Sequence, residues 1–358
     1  MDRLEDFIGW MGDFSFSQTG FLDADALVLA ALAYVDFGPI CEGGGTPRLR
    51  DCLGMLSRRE AKVLIVGSDA DYLKLLSLAA SSKRYGNLRL ANRVDVIRGD
   101  PPLQFAAICF LDDEGPGVLA YRGTDSSLAG WKEDFMISFT RTEAQELARD
   151  YAEEHLDSAR RWYVAGHSKG GNLALYAACT LSERALEHVE RFWLLDGPGL
   201  CPEVMDLSCM ARLNGRATQV LPRFSIVGRL FAPEIADTRI VRSTATGFRQ
   251  HGISTWGVDH GKLALAEGFD PVSLWFNSVM DAWIGGISQA DRVALVEELF
   301  DALSVRGAES LVELSAGGAE AVETVLRRLR ESSPVARRLL GELPKYAVKT
   351  GIHIRRND

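Results

Sequence analysis

Residues Arg161 to Cys179, RWYVAGHSKGGNLALYAAC, limit the possible folds more than any other part of the chain. Trp162, Tyr163, Val164 and Ala165 favour a strand, Gly166-His167-Ser168-Lys169-Gly170-Gly171 breaks the run, and Asn172 to Cys179 continues as an apolar helix. A strand that turns sharply through G-x-S-x-G into a helix is a nucleophile elbow. The glycines matter because Ser168 would sit in a strained backbone conformation, with strand and helix passing too close for a Cβ. Such a turn lifts the Ser168 hydroxyl clear of the sheet. The Lys169 amide, opening the helix, then points to where an oxyanion would form.

The remainder of the chain supplies a matching frame. Strand candidates arrive in series at residues 88–96, 105–111, 118–121, 162–165, 192–195, 223–227 and 239–242, with helical patterns at 144–159 and 173–187 between them. This alternation predicts an α/β fold of the α/β-hydrolase kind, a mostly parallel sheet with helices on both faces. The linker 112–117, DDEGPG, reads as a hairpin turn, so the strands beside it should be antiparallel. Upstream, residues 21–37 carry apolar side chains at helical spacing, with Asp23 and Asp25 as helix-end charges; 41–46 read as a loop, and 58–80 as helical pattern broken at Gly67. After Trp283 the pattern becomes helical, at 288–303, 309–314, 319–330 and 335–340. Ser288 and Asp291 have capping-box spacing, and the charge run 327–330 reads as a solvated face. We therefore divide the chain into a hydrolase domain, residues 1–285, and a C-terminal helical extension, residues 286–358.

Composition narrows the partners. A chain of 358 residues with 47% hydrophobic and 25% charged residues is globular, and a net charge of −9 disfavours nucleic acid or an anionic membrane. The acidic start, MDRLEDF, is unlike a secretory signal, and no apolar run reaches the ~18 residues of a spanning helix. Six scattered cysteines without C-x-x-C spacing read as reduced core residues rather than zinc ligands or disulfides. Together these predict a cytoplasmic protein needing no metal or cofactor.

A serine nucleophile needs a histidine base and an acid to orient it, in the chain order Ser, acid, His. His155 and His167 precede Ser168, His188 follows the elbow too closely, and His353 lies in a basic tail. His251, in a polar loop bounded by Gly247 and Gly252, is preferred to His260, whose neighbour Asp259 is adjacent in sequence and so unsuited to face it. For the acid, the run Phe192 to Gly199 gives an apolar strand, then Asp196, then a turn, so Asp196 is the choice; the strand candidate at 223–227 ends in Gly228, with no acid until Glu234 and Asp237. Thr124, in Tyr121-Arg122-Gly123-Thr124 after a strand, is positioned to give a second oxyanion donor beside Lys169. Arg122 and Asp125 could instead pair or cap the next helix. The stretch 201–210, with Val204, Met205, Leu207 and Met210, is apolar enough for an acyl pocket or lid, or for simple burial.

Tyr121-Arg122-Gly123-Thr124, with Trp131 and Asp134 downstream, is similar to the F-R-G-S/T…W…D signature of class-three (fungal-type) lipases, and Gly166 to Gly171 resembles their G-H-S-x-G-G elbow. RGTDSSLAGWKEDF, GHSKGGNLALYAA, LDGPG, SIVG and residues 247–256 together resemble a bacterial lipase-like α/β-hydrolase family of unknown function. The resemblance covers residues 21–303 and implies Ser168 as nucleophile, His251 as base and Thr124 as oxyanion residue. Class-three lipases place their aspartate after the following strand, where Gly228 stands here, so it leaves the acid open among Asp196, Glu234 and Asp237. The reading is a serine hydrolase acting on a small acyl ester, thioester or lipid-like substrate. The alternative is a silent hydrolase fold used for binding or scaffolding.

Overall fold

Parallel strands that step one way along a sheet put connections of one hand on a single face, so the other face must be covered by chain from elsewhere. The computed structural model describes residues 1–42, 45–64, 69–99, 102–124 and 136–294. Its main sheet follows chain order: β1 (Arg89–Gly99), β2 (Pro102–Leu111), β3 (Gly117–Tyr121), β4 (Trp162–His167), β5 (Val189–Leu195), β6 (Ala217–Pro222) and β7 (Asp237–Val241). The first three strands are antiparallel, and β3 through β7 are parallel. The acidic turn closes the β2–β3 hairpin, with Leu111 opposite Gly117.

The otherwise bare face is covered by the chain that precedes the sheet: α1 (Leu4–Met11), α2 (Asp23–Leu32) and α3 (Asp69–Ser81). The crossover helices α4 (Glu143–His155) and α5 (Lys169–Thr180) pack together on the opposite face. Strand side chains alternate between these two cores. Leu119, Tyr121, Val164, Phe192 and Leu194 point toward α4 and α5, whereas Val118, Ala120, Ala165, Trp193 and Leu195 point toward α2. Each large apolar side chain so buried contributes about 1.5–3 kcal/mol, which explains why strands buried on both faces read as unbroken apolar runs.

Asp25 enters the core with α2, and it does so paired. Its carboxylate is bound by Arg84 Nε at 2.7 Å and Nη2 at 2.5 Å, by the Tyr85 hydroxyl at 2.5 Å, and by the Leu22 amide at 2.7 Å. Arg84 also donates to the carbonyls of Phe14 and Gly20, tying the N-terminal segment down. Asp25 is thus both a helix-end group and half of a buried ion pair.

Several element boundaries differ from expectation. Residues 223–227 form no strand; β6 lies earlier, with every residue from Ala217 to Pro222 buried, because Thr218 and Gln219 go inside despite their polarity. The helix expected over 173–187 is two helices, α5 and α6 (Glu183–Glu187), with the Ser182 hydroxyl capping the second by accepting from the Ala185 amide. The stretch 201–210 packs into the α4–α5 core through Cys201, Val204 and Met205. The last helix described in full is α7 (Pro271–Gly285).

Of the C-terminal extension, residues 289–294 are helical, the Ser288 hydroxyl accepts from the Asp291 amide at 3.2 Å, and Gln289 bonds the Phe139 carbonyl. The expected helices beyond residue 294, the charge run 327–330 and His353 lie outside the described residues, as do Asp125, Trp131 and Asp134. Among the described residues no helix is long and apolar enough to cross a membrane.

Candidate active site

The elbow forms as its glycines require. A Cβ on Gly166 would lie 1.9 Å from the Gly170 carbonyl oxygen, so β4 and α5 can cross this closely only if Gly166 has no side chain. Ser168 sits between them at φ 57° and ψ −127°, a conformation that costs an L-residue about 1–3 kcal/mol and is held by the packed strand and helix around it. Gly123 closes the other side: its Cβ would stand 2.7 Å from the His167 carbonyl oxygen and 3.2 Å from Ser168 Cβ. Thr124 follows immediately.

Two distant segments reach this turn. His251 ends a short 3-10 turn, Gly247–His251, and its Nε2 lies 2.9 Å from Ser168 Oγ. Its Nδ1 lies 2.7 Å from Asp196 Oδ2. Asp196 follows the end of β5 at φ 45° and is fully buried, whereas His251 is 16% exposed at the side chain. Since a carboxylate only accepts, Nδ1 carries the hydrogen; Nε2 then presents its lone pair to the Ser168 hydroxyl. Asp196 Oδ1 is held in turn by the Ser225 hydroxyl at 2.5 Å and the Gly228 amide at 3.1 Å. Serine, imidazole and carboxylate are therefore joined in one hydrogen-bonded row.

A family profile described as Mbeg1-like matches residues 79–301, well over half of the sequence. The chain belongs to the Mbeg1-like family. The Mbeg1-like span contains the whole sheet, the elbow and both partners of Ser168, and it agrees with the lipase-like kinship read from the motifs. A solved structure titled "Crystal structure of M37 lipase" is similar over 58% of this chain and 70% of that one, at 16% identity and a TM-score of 0.35. A likeness that weak carries no argument. A search of curated proteins finds no match.

The other candidates lie elsewhere in the Mbeg1-like domain. His260 is at the tip of the Val258–Asp259 and Lys262–Leu263 hairpin, with its side chain 92% exposed and bonded to Asp259 at 2.5 Å. Sequence neighbours do face one another here, but at a surface turn away from Ser168. Asp237 begins β7, where it binds Arg239, Arg191 and Thr218 at the opposite end of the parallel strands, and Glu234 is exposed. Of the three acids, only Asp196 meets His251.

Arg122 is paired within the sheet. It forms a bidentate pair with Asp95 on β1, with both bonds at 2.8 Å, which fastens the end of β3. Thr124 is buried, and its Oγ1 has no hydrogen-bond partner in the described residues. Lys169, the first residue of α5, is buried too, and its ammonium donates to the Gln104 carbonyl at 2.6 Å, leaving its amide in the first turn of the helix beside Ser168.

Three participants were not expected from the sequence. Ser225 and the Gly228 amide, from the segment Ser225-Ile226-Val227-Gly228, bind the second oxygen of Asp196. His167, which precedes Ser168 and so falls outside the expected order of Ser, acid and His, touches His251 directly. Burial, and then the neighbouring His251, push its pKa well below the ordinary histidine range, so it is neutral. No signal in a single sequence distinguishes such supporting side chains from the rest of the core.

Proposed function

We propose that the protein is a serine hydrolase that cleaves an acyl ester or thioester, with a small or lipid-like acyl group, through Ser168, His251 and Asp196. The reading is carried by one observation: the His251 ring bridges Ser168 Oγ at 2.9 Å and Asp196 Oδ2 at 2.7 Å, from segments far apart in the chain. As Ser168 attacks the substrate carbonyl, His251 Nε2 takes its proton, and Asp196 stabilises the imidazolium that results. The proton then passes to the leaving group, and water releases the acyl-enzyme by the same path in reverse.

The tetrahedral intermediate carries its negative charge toward the Lys169 amide at the N-terminus of α5 and toward Thr124. The buried, unbonded hydroxyl of Thr124 supports that role, because a polar atom kept out of water without a partner costs about 1–3 kcal/mol unless a ligand completes it. Loss of one such donor removes about 3 kcal/mol of transition-state stabilisation. Residues 1–285 form the hydrolase domain and 286–358 its extension in this reading. The acidic composition and scattered free cysteines support action in the cytoplasm.

Ser168→Ala is the direct test. It should abolish turnover of short-chain p-nitrophenyl esters and labelling by a fluorophosphonate probe while leaving the melting profile close to that of the parent. Undiminished turnover in this variant refutes the assignment. A parent protein inert to both reagents points instead to a hydrolase fold used for binding.

A further inference from the structure

The turn that brings His251 to Ser168 has little to hold it. Gly247–His251 buries none of its five residues, so its position depends on bonds made to it by the core behind. Beyond the two that the His251 ring makes to Asp196 and Ser168, those bonds are few. Trp256 Nε1 donates to the Gln250 carbonyl at 2.7 Å, the Gln250 side chain accepts from the Phe224 amide at 3.1 Å, and His167 Nε2 lies 2.8 Å from the carbonyl oxygen of His251 itself.

The third bond has a fixed direction. A backbone carbonyl can only accept, so His167 Nε2 must carry a hydrogen. The ring is buried, with the tilted ring of His251 at 4.7 Å between centroids and the Trp256 ring nearly perpendicular to it at 6.0 Å, an environment that disfavours a second proton. Nδ1 is therefore a bare lone pair, and the Tyr34 hydroxyl, 2.9 Å away and fixed just beyond the end of α2, donates to it. A directed chain results: Tyr34 O–H to His167 Nδ1, then His167 Nε2–H to the carbonyl of His251.

We infer that His167 is a positioning residue: as the Nε2–H tautomer selected by Tyr34, it holds the main chain of His251 so that the base stays in line between Ser168 and Asp196. It moves no proton in the reaction. The inference rests on the hydrolase reading above, since a base must be in use for its position to matter.

Two substitutions separate holding from filling. His167→Leu keeps much of the volume and removes the donor; His167→Gln places an amide N–H close to where Nε2 stood. With p-nitrophenyl butyrate, His167→Leu should lower kcat about tenfold to a hundredfold, the loss expected from a displacement near 1 Å, with KM within twofold. His167→Gln should recover kcat to within a few-fold of the parent. Equal losses in the two variants, or no loss in His167→Leu, overturn the inference. Should neither variant fold, nitrogen NMR of the 15N-histidine-labelled parent decides: a neutral Nε2–H ring from pH 6 to 9 supports it, and an Nδ1–H or titrating ring overturns it. A parent that neither turns over ester nor takes fluorophosphonate sinks the hydrolase reading, and this inference with it. An active parent matched by His167→Leu sinks the inference alone.

Discussion

Replacing Asp196 by Asn tests the row of hydrogen bonds at its buried end. Oδ1 accepts from Ser225 Oγ and the Gly228 amide, and Oδ2 accepts from His251 Nδ1. Asparagine has one acceptor oxygen. Two of the three donors share the Oδ1 position, so the amide oxygen stays there and the NH2 group turns to His251. An NH2 cannot accept from Nδ1–H, so the imidazole takes its other tautomer, with the hydrogen on Nε2, where it donates to Ser168 instead of receiving its proton. The same exchange in the triad of a serine protease lowers kcat about 10⁴-fold. We expect a loss of about 10³- to 10⁴-fold here, or roughly 4–5.5 kcal/mol of barrier, with KM changed less than about threefold. Losing a charge-assisted bond should also cost about 1–3 kcal/mol of stability, visible in urea unfolding but compatible with a folded protein. The assay is p-nitrophenyl butyrate turnover beside the rate of fluorophosphonate labelling. Glu234→Gln and Asp237→Asn serve as comparisons, because Glu234 is exposed and Asp237 is occupied by Arg239 and Arg191. If Asp196→Asn keeps kcat within tenfold of the parent, or if either comparison variant falls as far, the carboxylate does not orient the base.

Thr124→Val removes a buried hydroxyl and keeps the amide; if that hydroxyl meets the oxyanion, kcat falls about 10²- to 10³-fold at constant KM, and an unchanged kcat assigns the donor to the backbone alone. Arg84→Met leaves the Asp25 carboxylate buried without its guanidinium and should cost about 3–5 kcal/mol in urea unfolding; a cost below ~1 kcal/mol would mean that the pair is not holding the N-terminal segment. His167 gives acid sensitivity with a definite sign. Its folded pKa is depressed, so the stability due to its neutral form is complete above pH ~6.5, the unfolded value, and is lost as pH falls toward the folded value, by up to about 1.4 kcal/mol per pH unit. Unfolding free energies at pH 7.5 and 5.5 should therefore differ more in the parent than in His167→Gln; an equal difference in both refutes this account.

Local chemistry made part of this molecule readable before any coordinates. Gly166, Gly170 and Gly171 around Ser168 could only serve a close strand–helix crossing, and the glycine- and proline-bearing acidic turn after Leu111 could only close a hairpin; both are short-range steric facts carried by adjacent residues. The β6 boundary was not readable, because Thr218 and Gln219 are buried for reasons that lie in neighbouring strands and not in their own side chains.

The sequence by itself determined the alternation of strands and helices, the elbow and the two residue types that must meet it, because periodicity and turn chemistry act over a few positions. The sequence also favoured Asp196 among the acids, but only the tertiary structure brought it to His251, joined Ser225 and the Gly228 amide to its other oxygen, and set His167 against the His251 carbonyl. Those contacts join residues dozens of positions apart, and what brings them together is the stacking order of the strands, which no local pattern encodes.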